Sequence, residues 1–157
     1  MTKLLLSVHV LAAILTIGPV AVAASLFPRY ARETAAGERS PGVTAFLHRI
    51  CRGYTVVGVA VPAFGLATGA QMGVLTDAWL VVSIVLTAIA AVLLAAVILP
   101  VQRRLLAVEG AAAEGEAADA TAARGAARLA MATGIFNLLW AVVVVLMIVR
   151  PGSTTGA

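Results

Sequence analysis

The chain has 157 residues, 62% of them hydrophobic and 11% charged, and its mean hydropathy is +1.05. Soluble domains average about 25% charged residues, and no core of this size could hide so much apolar surface, so a water-soluble globule is excluded. The net charge of +4 comes with 5% aromatics and no nucleic-acid motif, which points away from nucleic acid and toward membrane topology and anionic headgroups.

Four apolar runs, 4–28, 54–75, 78–101 and 129–149, contain no Asp, Glu, Lys or Arg. Each is long enough to cross a bilayer as a helix, which needs ~20 residues. Every backbone N–H and C=O must be paired within a span, and helices do this unaided. The runs are rich in Ala, Leu and Val without two-residue alternation, which argues against a β-barrel. The expected fold is all-α: a polytopic transmembrane four-helix bundle forming one membrane domain over residues 1–157.

The first run carries Gly18-Pro19, and the second and third carry Pro62 and Pro100. Each proline removes a backbone hydrogen bond and crowds the preceding turn, so local distortion is expected there. Lys3, the apolar stretch after it and Ala21-Val22-Ala23 imitate a signal peptide. The apolar run continues to Leu26-Phe27, and cleavage would send a loop with five arginines outside. An uncleaved first span is therefore expected. Ser40-Pro41 has the pattern of a helix N-cap followed by proline at the first helical position. Val43, Phe46, Leu47, Ile50 and Tyr54 then recur at helical spacing, with His48 and Arg52 on another face. Residues 41–53 read as a short amphipathic cytoplasmic helix leading into the second span. Residues 101–108 continue the third span out of the bilayer, with Gly110 near the helix end. Residues 109–123 are an Ala/Glu-rich stretch, either flexible or briefly helical. The tail from Ser153 reads as frayed.

Basic residues set the orientation. The loop after the first span holds Arg29, Arg32, Arg39, Arg49 and Arg52, and the loop after the third holds Arg103, Arg104, Arg124 and Arg128. Only Lys3 and Arg150 lie at the other side. The positive-inside rule places the arginine-rich loops in the cytoplasm and both termini outside, in a bacterial plasma membrane. Arg29, Arg32, Arg49, Arg52, Arg103 and Arg104 are candidates for a surface that meets lipid or a protein partner.

Small and polar residues form a stripe on each span: His9, Ala12, Ala13 and Thr16; Gly65, Gly69 and Gly73; Ser83, Thr87, Ala91 and Ala95; Thr133, Gly134, Asn137 and Ala141. Small residues allow close helix approach, and polar ones seek partners away from lipid. These stripes are expected to meet inside the bundle. The glycine face of span two could instead form a homodimer contact.

His9 is the most suggestive single residue, ~8 Å inside its span by helix rise. Neutral imidazole is a metal and heme ligand and a proton carrier, and a polar group within a span is costly enough to invite a functional reading. A structural histidine bonded to Gln71 or Ser83 is the competing reading. A heme b on His9 would find Met72 or Met147 as a conceivable second ligand. His48 reads as a solvated residue on a polar face at the opposite end. Asn137 reads as a bond between helices, Trp79 as an interfacial anchor, and Cys51 as a buried thiol, the one cysteine, which precludes an intrachain disulfide. No catalytic set and no metal cluster is visible in the sequence. The absence of an intramembrane carboxylate argues against a proton-coupled transporter.

The opening Lys3-Leu-Leu-Leu-Ser-Val-His9-Val-Leu-Ala-Ala-Ile-Leu, with Gly18 after it and Arg29 at the end of the span, resembles a bacterial integral membrane family labelled domain of unknown function 2269. That resemblance implies a compact four-span bundle and membrane location, without an activity. More remotely, the early histidine is similar to that of heme-binding four-span protoporphyrinogen oxidases and copper-resistance membrane domains. The oxidase pattern implies heme on His9 and a lysine in a later span, where this chain has none. Two functions fit these residues: a non-enzymatic accessory or scaffold protein that binds lipid or a membrane partner, and a heme-binding redox protein.

Overall fold

The computed structural model describes residues 2–38, 40, 42–110 and 116–152. Arg39, the Pro41 helix start, residues 111–115 of the Ala/Glu-rich stretch and the tail from Ser153 lie outside the described residues. The described chain forms helices α1 (Thr2–Ala35), α2 (Gly42–Gly58), α3 (Ala60–Met72), α4 (Ala78–Leu93), a five-residue π-helical segment (Leu94–Ile98), α5 (Leu99–Gly110) and α6 (Glu116–Val149). No strand occurs among the described residues. Four helical stretches are long and apolar enough to cross a membrane: Thr2–Ala35, Gly42–Met72, Ala78–Glu109 and Ala120–Val149. All four extend past the apolar runs. At 1.5 Å per residue they reach roughly 45–50 Å, beyond the ~30 Å hydrocarbon layer, so their polar ends project.

Two of the prolines coincide with breaks in regular α-geometry. The α2–α3 helix is interrupted at Val59, just before Pro62, where the Val59 N–H turns to the Val56 carbonyl. The π-helical segment ends at Ile98, two residues before Pro100. A proline has no N–H for the carbonyl four residues back and its ring crowds that carbonyl, so a widened turn relieves the clash. Pro19 and Pro28 lie within α1, whose helix is unbroken from Thr2 to Ala35.

The amphipathic helix is longer than expected, Gly42–Gly58, and of its polar residues Arg49 and Arg52 are exposed while His48 is half-buried. The Ser40 hydroxyl accepts from the Gly42 N–H at 3.4 Å, near the expected cap. Thr44, Leu47 and Cys51 are buried on one face, whereas Phe46 and Tyr54, expected on the apolar stripe, are exposed. The buried face packs on α1 and α5.

Around the bundle the spans run α3, α1, α6, α4. Helix α1 packs on α2, α3 and α6, and α4 packs on α6, but α3 and α4 scarcely touch. The dense core lies in the half nearer the arginine-rich end, with Ala23, Ala24, Phe27, Cys51, Ala90, Ile98, Leu129 and Phe136 among its members. Phe136 meets Trp140 edge to face at 6.2 Å between centroids. Alanines at 23, 24 and 90 let the helices close onto these rings, which matters in lipid, where packing contacts rather than water exclusion hold helices together.

Phe27 is fully buried and Leu15 is 65% exposed. Phe27→Ala should destabilise the protein by about 2 kcal/mol, below the ~3–5 kcal/mol usual for aromatic truncation in soluble cores because lipid removes most of the transfer contribution. Leu15→Ala should stay within about 0.5 kcal/mol of wild type. Unfolding in detergent measures both, and equal effects would contradict a core centred on Phe27.

Candidate functional site: a cavity at the terminal end of the bundle

The half of the bundle nearer the two termini is hollow. A cavity of about 840 Å³ lies between α1, α3, α4 and α6, within the ~300–1,000 Å³ range usual for small-molecule sites. Its walls are mostly aliphatic, with His9, Thr87, Trp140 and Arg150 as the polar contributors.

His9 is held by a backbone group. Its Nδ1 lies 2.9 Å from the Val61 carbonyl oxygen on α3. A carbonyl only accepts, so Nδ1 carries the proton and donates. In the neutral ring, Nε2 is then the lone-pair nitrogen. Nε2 has no hydrogen-bond partner among the described residues, and His9 lines the cavity. A ring nitrogen donating to a carbonyl is one of the arrangements that fix the ring of metal-bound histidines. The two expected partners go elsewhere. Gln71 is exposed, and the Ser83 hydroxyl donates to the Trp79 carbonyl at 2.7 Å. A backbone acceptor leaves no trace in sequence, which is why side chains were the only partners in view.

Gly65 makes room for the imidazole. A Cβ there would lie 2.8 Å from His9 Cε1 and 3.2 Å from Nδ1. Gly69 faces Leu80 and Leu75, at 2.9 Å and 3.2 Å from its would-be Cβ. Gly65 and Gly69 thus face side chains of the same chain. Gly73 differs from the expected stripe: nothing lies within 4 Å of a Cβ there, and its φ of +70° ends α3. Its N–H bonds the Ala70 carbonyl and the Val74 N–H bonds the Gly69 carbonyl, a left-handed helix stop that favours glycine.

At the mouth, Arg150 ends α6 with φ +44°, a left-handed conformation rare for a side-chain-bearing residue. Its guanidinium lies over Trp79, 5.6 Å from the ring centroid, and its Nε donates to the Met147 carbonyl at 3.3 Å. Trp79 is 5% exposed, so it is a buried platform rather than an interfacial anchor. Its indole N–H donates to Asp77 Oδ2 at 3.1 Å. Met147 lines the cavity with His9, whereas Met72 does not.

The other stripe residues divide. Thr16, Ser83 and Thr133 are buried, but Ala91, Ala95, Gly134 and Ala141 are exposed. Asn137 Nδ2 donates to Ser25 Oγ on α1 at 3.0 Å. At the arginine-rich end, Arg29, Arg32, Arg49, Arg52, Arg103 and Arg104 are all exposed, and Arg29 pairs with Glu33 at 2.7 Å. His48 is not solvated as expected: its Nδ1 donates to Gln102 Oε1 at 2.8 Å, and Gln102 Nε2 approaches Cys51 Sγ at 3.6 Å. The Thr44 hydroxyl donates to Glu109 Oε2 at 2.8 Å. Among the described residues no group of three or more His, Cys, Asp or Glu could hold a metal ion.

Residues 3–151 match the model of a family described as "Predicted integral membrane protein (DUF2269)". The chain belongs to this family. No curated protein and no solved structure matches this DUF2269 member.

Gly65→Val should force the imidazole out of its cradle and break the bond to Val61. Nitrogen-15 NMR of the imidazole should report a neutral Nδ1–H tautomer in the wild type and lose it in the variant. An Nε2–H tautomer in the wild type would contradict the assigned geometry.

Proposed function

We propose that this protein is a non-enzymatic accessory membrane protein that binds a lipid-like ligand in the cavity at the terminal end of its bundle. One observation carries this reading: a large aliphatic cavity with an unpaired imidazole nitrogen inside and an arginine at its mouth. Ligand sites commonly combine apolar walls with a few placed polar groups. In this reading the termini face outward, the cavity lies in the outer half of the bilayer, and the exposed arginines meet anionic headgroups or a membrane partner on the cytoplasmic side.

A second reading is kept because of the His9 tautomer. An Nε2 lone pair, with Nδ1 tied to a carbonyl, is the form that ligates heme iron, and Met147 lines the same space. A redox role would follow from heme b bound there.

Purification in mild detergent separates the two. The lipid reading expects a colourless protein that retains lipid on native mass spectrometry and loses most of it in Ala13→Trp, which fills the cavity. A Soret band that vanishes in His9→Ala would replace it with the heme reading. Orientation has its own check: a tag fused at the C-terminus should be accessible from outside intact cells, and access only from the cytoplasm would overturn the sidedness.

A further inference from the structure

Resting on the lipid-binding reading, the geometry points to a monoacyl anionic phospholipid as the occupant, with its phosphate on Arg150, its free hydroxyl on His9 Nε2 and its chain in the aliphatic remainder. It enters sideways between the second and third spans.

The charge argument begins at the mouth. Arg150 is the one charged side chain lining the cavity. Its described contacts are the Met147 carbonyl and the face of Trp79. Among the described residues the one salt bridge is Arg29–Glu33, so no described carboxylate pairs with Arg150. The nearby acid, Asp77, accepts the Trp79 indole N–H. A guanidinium lying over an aromatic face keeps its edge donors available, and their fork matches a phosphate.

The second argument is the hydrogen bond that His9 lacks. With Nδ1–H committed to Val61, Nε2 can only accept. An ester oxygen cannot satisfy it. A hydroxyl can. A diacyl phospholipid carries an ester where a monoacyl one carries a hydroxyl just below the phosphate, so the acceptor discriminates between them. Leaving a polar group unpaired in an apolar site is what makes such discrimination strong.

The third argument is access. Helices α3 and α4 approach at Gly69 and Leu80, near their connecting turn, and scarcely elsewhere, whereas the other neighbouring spans are packed together. The cavity therefore adjoins the least closed seam of the bundle. Its wall there includes Leu66 on α3 and Ala88 on α4, both exposed. A ligand already dissolved in the bilayer reaches Arg150 and His9 without crossing water.

The test uses the full-length protein in detergent, with affinities measured by native mass spectrometry for oleoyl lysophosphatidic acid, dioleoyl phosphatidic acid and oleoyl lysophosphatidylcholine. Lysophosphatidic acid should bind about tenfold or more tightly than the other two, the scale expected for one unmatched polar contact. Arg150→Gln should erase its advantage over lysophosphatidylcholine. His9→Phe should erase its advantage over phosphatidic acid while leaving the charge preference intact. Should His9→Phe fail to fold, Arg150→Gln and the wild-type comparison still decide the matter. Ala88→Trp should slow loading several-fold. Equal wild-type affinity for the three lipids would overturn this proposal while leaving a lipid-binding cavity in place. Binding of none of them, or a bound pigment, would overturn both.

Discussion

In hydrocarbon, an aliphatic side chain gains almost nothing by leaving lipid for a protein interior, because the two environments are alike. Helices in a bilayer associate through close van der Waals contact and through hydrogen bonds that have no competing water. That constraint orders this structure. Where Ala23, Ala24 and Ala90 let the backbones approach, Phe27, Phe136, Ile98 and Leu129 fill the space between them. The same half is laced by the Thr44–Glu109 and His48–Gln102 bonds between α2 and α5. The terminal half has less of both. Its lining is mostly aliphatic, which lipid solvates as well as protein does, and the described hydrogen bond across it, His9–Val61, ties only α1 to α3. A seam between α3 and α4 and a hollow behind it follow from that imbalance.

The polar groups within the spans show how few ways a membrane helix has to satisfy them. Ser83 and Thr68 bond to carbonyls of their own helices one turn back, at 2.7 Å each, and so bring no neighbour closer. Asn137 and His9 instead reach across to Ser25 and Val61. His9 is the more consequential. Its bond fixes ring orientation and tautomer together, turning a residue that could play several parts into a positioned acceptor inside an apolar space.

Much of the architecture was legible in the sequence because span length and the exclusion of charge are one-dimensional constraints. The first span and the third were readable from apolar runs alone, as was the continuation past Val101 to Gly110. Packing detail was not. Gly65, Gly69 and Gly73 look alike in sequence, yet Gly65 admits a ring, Gly69 admits leucines and Gly73 stops a helix. Only the environment distinguishes them. The fully buried Gln102 lies in a stretch whose neighbours Arg103 and Arg104 mark it as polar, although Ile98, Gln102, Leu105 and Glu109 recur at helical spacing and mark a face. The platform under Arg150 was hidden for another reason: Trp79 and Arg150 are seventy-one positions apart (150 − 79) and meet only because α4 and α6 pack together.

The uneven filling of the bundle bears on how such a protein can change over generations. Where the buried alanines sit among aromatic rings, enlargement meets a packed core, so drift is confined to a few shapes. Around the hollow, residues such as Ala13, Ala88 and Val143 can grow or shrink with little penalty to assembly. Descendants of one ancestor could therefore acquire different small-molecule preferences while their helices remain superimposable. Divergence in chemistry would then run ahead of divergence in architecture.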